Sequence, residues 1–194
     1  MPFAYYTRLP PARRRIYDRS DTITTLPLPP GPDAGDLIEA IAAGLAGEQQ
    51  TAVQRACQKL MDDLVVRFEV PPLRIKVYAS RPSGDWGELH GLYLPEEGRR
   101  RAAIEVWMRT AQKGRVVARR TFVRTLVHEL CHHLDYERFM LEETFHTEGF
   151  YKRESHLLLQ LAGPPAPRGS STASAQPQDA TVTGTRRARA QSNS

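Results

Sequence analysis

Hydrophobic positions recur at helical spacing in four stretches of the chain and cluster as short strand-like runs in three others. From Asp36 onward, Leu37, Ile38, Ile41 and Leu45 fall on one side of a helix. After Gly47, the positions Val53, Cys57, Leu60, Met61, Leu64 and Val65 mark a second helix, stopped by Pro71-Pro72. Residues 73–78 then alternate apolar and polar, as a strand with one buried face does. Residues 88–94, ending at Pro95, and residues 103–108, rich in β-formers, predict two more strands, and the arginine-rich turn at 98–101 joins them as a hairpin. A long helix follows over 120–138. A last helix over 147–161 carries Phe150, Leu157, Leu158 and Leu161 on its apolar side and is ended by Gly163-Pro164-Pro165.

The flanks lack this periodicity. Residues 1–35 contain Pro10-Pro11 and a proline-dense stretch from Pro27 to Pro32, which predicts a Pro/Arg-rich extended lead-in. Residues 163–194 are dominated by Ser, Thr, Ala, Gln, Gly and Pro and cannot bury enough apolar surface to offset their ordering entropy, which predicts a disordered tail. One folded unit is therefore expected over 36–162. Its class is α+β: N-terminal helices, a small three-stranded, mostly antiparallel sheet, and two C-terminal helices.

Charge and cysteine content narrow the classes. The net charge is +5 and sits largely in Arg13-Arg14-Arg15, Arg99-Arg100-Arg101, Arg119-Arg120 and Arg186-Arg187. These clusters lack interleaved aromatics of the kind that stack on bases, so they read as solvated surface and support for a DNA partner is thin. Two cysteines, Cys57 and Cys131, lie in helical patterns without a CxxC. That argues against a disulfide framework and a zinc ribbon. With no apolar leader and no membrane-length run, a soluble cytoplasmic protein with no membrane partner is expected. Nothing in the pattern specifies an oligomeric state.

The chemistry concentrates in His128-Glu129-Leu130-Cys131-His132. On a helix, positions four apart lie on one face, so His128 and His132 can point imidazoles at one ion with Glu129 beside them as general base. Phe122, Val123, Leu126, Val127, Leu130 and Leu134 form a broad apolar face. The opposite side holds the two histidines and Asp135, where an ordinary amphipathic helix would carry Lys, Glu or Gln. A catalytic zinc takes three protein ligands and leaves one position for water. The third is expected to be His146, with Glu142, Glu143, Glu148 and Glu154 as competitors. Asp135 is too far along the helix to ligate and is expected to hydrogen-bond a ligand imidazole. His133 is expected to face solvent or substrate.

The segment from His128 to His132, followed by a short loop and His146-Thr147-Glu148-Gly149-Phe150-Tyr151-Lys152, resembles the SprT-type zinc metalloprotease domain. That group has HExxH on one helix and a third histidine opening the next. The specific match covers about residues 121–153. Here Gly149 stands three residues after His146 rather than next to it, and the cysteine-rich ribbon of many members is absent. The resemblance implies a compact zincin-like fold, Zn2+ held by His128, His132 and His146, Glu129 as base, and a protein or peptide substrate. It also implies that the strand over 104–108 walls the cleft and accepts an extended peptide as an added antiparallel strand. Oxyanion stabilisers would come from Tyr151, Tyr136 or His133. The wider small-gluzincin and antirepressor-peptidase set, with Glu as third ligand, is similar too. A deformylase-like hydrolase would need a cysteine ligand on a strand, whereas Cys57 lies in a helix pattern. The alternative from another class is a regulatory or DNA-associated protein whose zinc site is structural or degenerate.

Overall fold

The computed structural model describes residues 3–84 and 87–163, and the predicted tail lies outside the described residues apart from Gly163. The elements run α1 (Pro11–Thr22), α2 (Gly35–Ala46), α3 (Gln50–Arg67), β1 (Arg74–Ser80), β2 (Ser83–Gly84), β3 (Gly87–Glu88), β4 (Gly91–Leu94), β5 (Ala103–Arg109), α4 (Arg119–Glu137) and α5 (Glu148–Ala162). The class is α+β, as the periodicity implies, and each of the four predicted helices is present.

The sheet is mixed rather than mostly antiparallel. Its order is β1-β5-β4. β4 and β5 form the predicted antiparallel hairpin, pairing Gly91 with Val106 and Tyr93 with Ile104, but β1 runs parallel to β5, with Ile75 opposite Ile104 and Val77 opposite Val106. β5 is thus the central strand, and its near-continuous apolar run (Ala103, Ile104, Val106, Trp107 and Met108 all buried) is that of a strand covered on both faces. The second predicted strand is shorter than expected: residues 87–88 belong to a separate ribbon with 83–84.

Glutamines on α3 close the outer edge of β1. Gln54 accepts from Val77 N at 2.7 Å and donates to Ile75 O at 2.6 Å. Gln58 accepts from Ile75 N at 2.8 Å and reaches Leu73 O at 3.1 Å, and Gln50 donates to Val77 O at 2.7 Å. The match is geometric. Four residues of helix rise about 6 Å and two residues of strand about 6.6 Å, so side chains one helical turn apart reach alternate strand residues. A backbone edge that would otherwise template another strand is satisfied by side-chain amides. Among the described residues, β1 and β4 are the two edge strands of this sheet, and the glutamines close the edge of β1.

The lead-in is not simply extended. Residues 11–22 form α1, with Pro11 in the first turn, where a missing N–H costs nothing. Its periodicity is faint because only Tyr17 and Ser20 are buried among six charged positions. Residues 23–34 do lack helix, yet they are docked: Leu26 N donates to His156 Nδ1 at 3.0 Å, and Gln160 bonds Leu26 O and Leu28 N. Arg153 of α5 secures the end of α1. Wholly buried, its guanidinium donates to Ser20 O and Oγ at 3.0 Å, to Ile23 O at 3.2 Å, and to Asp135 of α4 at 2.6 Å. It also lies 4.9 Å from the Phe150 ring. Removing one partner of such a pair strands the other charge in the interior. Arg153→Met is accordingly expected to lower the unfolding free energy by about 3–5 kcal/mol in urea titrations, and a loss under about 1 kcal/mol would contradict this.

Candidate metal centre

The second half of α4 is buried all round: Glu129, Leu130, Cys131, His132, His133, Leu134 and Asp135 are each at most 9% exposed. The apolar face packs on the sheet, and the polar face is covered by α5 and the loop that leads into it. That loop turns sharply at Met140, which has φ of 51°, and Leu141 N bonds Asp135 O at 2.8 Å. Thr147 then caps α5 by accepting from Phe150 N at 2.9 Å. The turn and the cap fix His146, the residue before the cap, so that it faces α4, and Tyr5 hydroxyl bonds its carbonyl at 3.0 Å.

The three predicted ligands converge. His146 Nε2 lies 3.0 Å from both His128 Nε2 and His132 Nε2. The ring centroids form a near-equilateral triangle with sides of 4.9, 4.8 and 4.9 Å, and Phe150 packs against all three rings. A tetrahedral ion with bonds near 2.1 Å would hold such nitrogens about 3.4 Å apart, so the set needs only a slight opening. The group is able to hold a metal ion.

The hydrogen-bond network supports that fit. Thr144 has one hydroxyl proton and donates it to Asp135 Oδ2 at 2.7 Å, so its oxygen accepts from His132 Nδ1, also at 2.7 Å. The neutral His132 ring therefore presents a lone pair at Nε2. His128 Nδ1 likewise donates to Glu154 Oε2 at 2.9 Å, and Arg124 faces the other Glu154 oxygen at 3.3 Å. Burial, reinforced by the neighbouring His128, holds the His146 pKa down to about 4. His132 is pushed well below its ordinary value, again chiefly by burial. Both stay neutral, as ligands must be. Burial pulls His128 down as well, but the Glu154 hydrogen bond and the Glu129 and Glu154 charges more than offset it, and its pKa is raised.

Glu129 stands beside this cluster without joining it. Burial lifts its pKa to about 7, against the pull of His128 and of the Tyr93 backbone N–H that it accepts. Gly91 on β4 makes room: a Cβ there would collide with Glu129 Oε1 and with Thr125.

Other expected roles change. Asp135 does not touch an imidazole directly; Thr144, which sequence reasoning did not single out, stands between. His133 faces neither solvent nor substrate: it is fully buried, with Tyr93 hydroxyl at 3.1 Å and Pro71 O at 2.9 Å from its two nitrogens. The strand over 104–108 is central and both its edges are paired, so the strand beside the site is β4. Of the competing carboxylates, Glu154 orients His128, Glu143 pairs with Arg13, and Glu148 pairs with Lys152 at 2.7 Å. Glu142 lines a cavity of about 240 Å3 with Arg15, Arg19 and Leu141, which none of the converging histidines reaches. Tyr151 stacks on His146 with centroids 5.8 Å apart, whereas Tyr136 stacks on Tyr93. Gly149 is explained by close approach, since a Cβ would strike the Asp21 backbone, and its N–H is taken by Asp21 Oδ1 at 2.8 Å. Cys57 and Cys131 are buried, and burial raises both thiols, Cys57 to about 12. Several cluster arginines are internally engaged: Arg13 with Glu143, Arg14 with Thr7 O, Arg100 with Glu97 and Arg119 with Glu39.

No family model matches the chain, and no curated protein or solved structure is found to match it. No helix among the described residues is long and apolar enough to cross a membrane.

His146→Ala should abolish tight zinc binding in a chelator competition, and undiminished affinity would move the third ligand elsewhere. Gly91→Ala should displace Glu129 and cost about 1–3 kcal/mol of stability while leaving zinc stoichiometry unchanged; a variant as stable as the parent by urea denaturation would contradict the close contact.

Proposed function

We propose that this protein is a zinc-dependent peptidase of the SprT-like type that its motif resembles, with His128, His132 and His146 as the ligands and Glu129 as general base. The observation that carries this reading is Glu129 itself. A buried carboxylate is costly, and this one sits beside three convergent imidazoles without belonging to them, opposite a glycine that leaves it space. A site that merely stapled the fold would need the histidines and not the glutamate, which weighs against the structural or regulatory reading.

Zinc bound there would supply Lewis acidity toward a water and the scissile carbonyl. The remaining tasks fall to the chain. Glu129 takes the proton of the attacking water and returns it to the leaving nitrogen, which suits a carboxyl whose pKa burial has lifted to about 7. The Tyr93 N–H holds the carboxylate in place. Glu154 and Thr144 fix two of the imidazoles with Nε2 turned inward. Among the oxyanion candidates Tyr151 is favoured, because its ring borders His146 while His133 is committed to Tyr93 and Pro71. An extended peptide laid along the edge of β4 would pass beside Glu129, and that supports an endopeptidase.

Glu129→Gln is the direct test on unstructured protein substrates. It should retain zinc and lose about 10²–10⁴-fold in hydrolysis rate. Equal rates for wild type and variant, or no cleavage by either with zinc bound to both, would sink the peptidase reading.

A further inference from the structure

The groups that orient His132 continue outward into a chain that ends on the N-terminal helix, and the proposed reaction uses none of its outer members. Thr144 Oγ1 accepts from His132 Nδ1 and donates to Asp135 Oδ2, both at 2.7 Å. Asp135 Oδ1 accepts from Arg153 at 2.6 Å, and the same guanidinium holds Ser20 O at 3.0 Å and Ile23 O at 3.2 Å, where α1 ends. Asp135, Arg153 and Ser20 are fully buried, so water does not compete for these bonds, whereas Thr144 is only partly buried.

Resting on the metal reading of the three histidines, we propose that Thr144 is a positioning residue for His132, and that through Asp135 and Arg153 it ties occupancy of the metal centre to docking of α1. The polarity of the chain supplies the reason. An ionised Asp135 can only accept, which sends the Thr144 proton outward and leaves its oxygen to receive His132 Nδ1–H. That fixes the tautomer whose Nε2 lone pair faces the ion. Without the hydroxyl, the imidazole is free to rotate or to move its proton to Nε2, and Asp135 loses a donor. Asp135 is in turn placed by an arginine whose two terminal nitrogens also donate to Ser20 and Ile23 at the end of α1. A helix that docks less firmly therefore holds Arg153, and with it His132, less firmly. Linkage makes the effect mutual: whatever docked α1 contributes to metal affinity, bound metal returns to α1 docking.

The test compares the full-length wild type with Thr144→Val and Thr144→Ser. Zinc affinity is read by competition with a chromophoric chelator, and hydrogen exchange is followed over residues 11–22 in zinc-loaded and zinc-stripped protein. Circular dichroism and urea midpoints establish that the variants are folded where affinity is compared. Thr144→Val should bind zinc about 10–100-fold more weakly, and Thr144→Ser, which keeps the hydroxyl, should recover most of the loss. Zinc should slow exchange in α1 of the wild type, and that difference should shrink in Thr144→Val. If wild type binds zinc and Thr144→Val matches it within about twofold, the positioning role is overturned while the metal reading stands. Exchange in α1 that is indifferent to zinc in the wild type overturns the tie to α1. Failure of the wild type to bind zinc at all removes the metal reading, and this proposal falls with it.

Discussion

The ion pair between Asp135 and Arg153 is the constraint on which the rest of the arrangement depends. Both side chains are inaccessible to solvent and 2.6 Å apart. A buried pair of this kind is no more stabilising than well-packed apolar residues of the same volume would be; what it imposes is a single geometry. Here that geometry joins three helices. Arg153 comes from α5, Asp135 from α4, and the Ser20 and Ile23 carbonyls that accept from the same guanidinium from the end of α1. Burial pushes the Asp135 carboxyl up to about 6, opposed first by the Arg153 charge and then by the Thr144 and Arg153 hydrogen bonds. Shifting α5 along α4 would break it and would also carry His146 away from His128 and His132.

The polar half of α4 poses an energetic problem that a metal ion would answer. Seven consecutive residues from Glu129 to Asp135 are buried, four of them titratable side chains other than cysteine. Each has a designated partner: Tyr93 N–H for Glu129, Thr144 for His132, Tyr93 and Pro71 for His133, Arg153 for Asp135. What the network leaves over is a cluster of imidazole nitrogens facing each other, with Nδ1 committed elsewhere on two of the three rings. Three nitrogens brought this close are a donor set that a cation would ligate. The peptidase reading remains a proposal that rests on this cluster together with the separate placement of Glu129.

Much of this was legible in the sequence, for physical reasons that differ by element. The helices over 36–65 and 120–161 announce themselves because each buries one apolar stripe at a 3.6-residue period. HExxH is legible because its spacing is the helix repeat. The third histidine is reachable through its place at the start of the last predicted helix and through the resemblance of the segment from His146 to Lys152. α1 escaped because its arginines outnumber its two buried residues and its anchoring is polar. The parallel pairing of β1 escaped because a strand sealed by Gln50, Gln54 and Gln58 reads like any amphipathic strand, and nothing local records which neighbour it takes. Thr144 and the burial of His133 depend on contacts between segments far apart in sequence, and single-residue patterns carry no trace of them. His133 illustrates the limit well: projection on a helical wheel turns it away from the ligands, but only the approach of β4 and Pro71 shows that this direction is filled.

In the proposed site, three imidazoles from α4 and the turn before α5 form an open metal centre. A crystal structure of the zinc-loaded protein tests it most directly. One ion is expected, bound by Nε2 of His128, His132 and His146 at about 2.0–2.1 Å, with the remaining position outside the protein and Glu129 uncoordinated beside it. Zinc closed off by a fourth protein ligand, or bound away from these histidines, would contradict it.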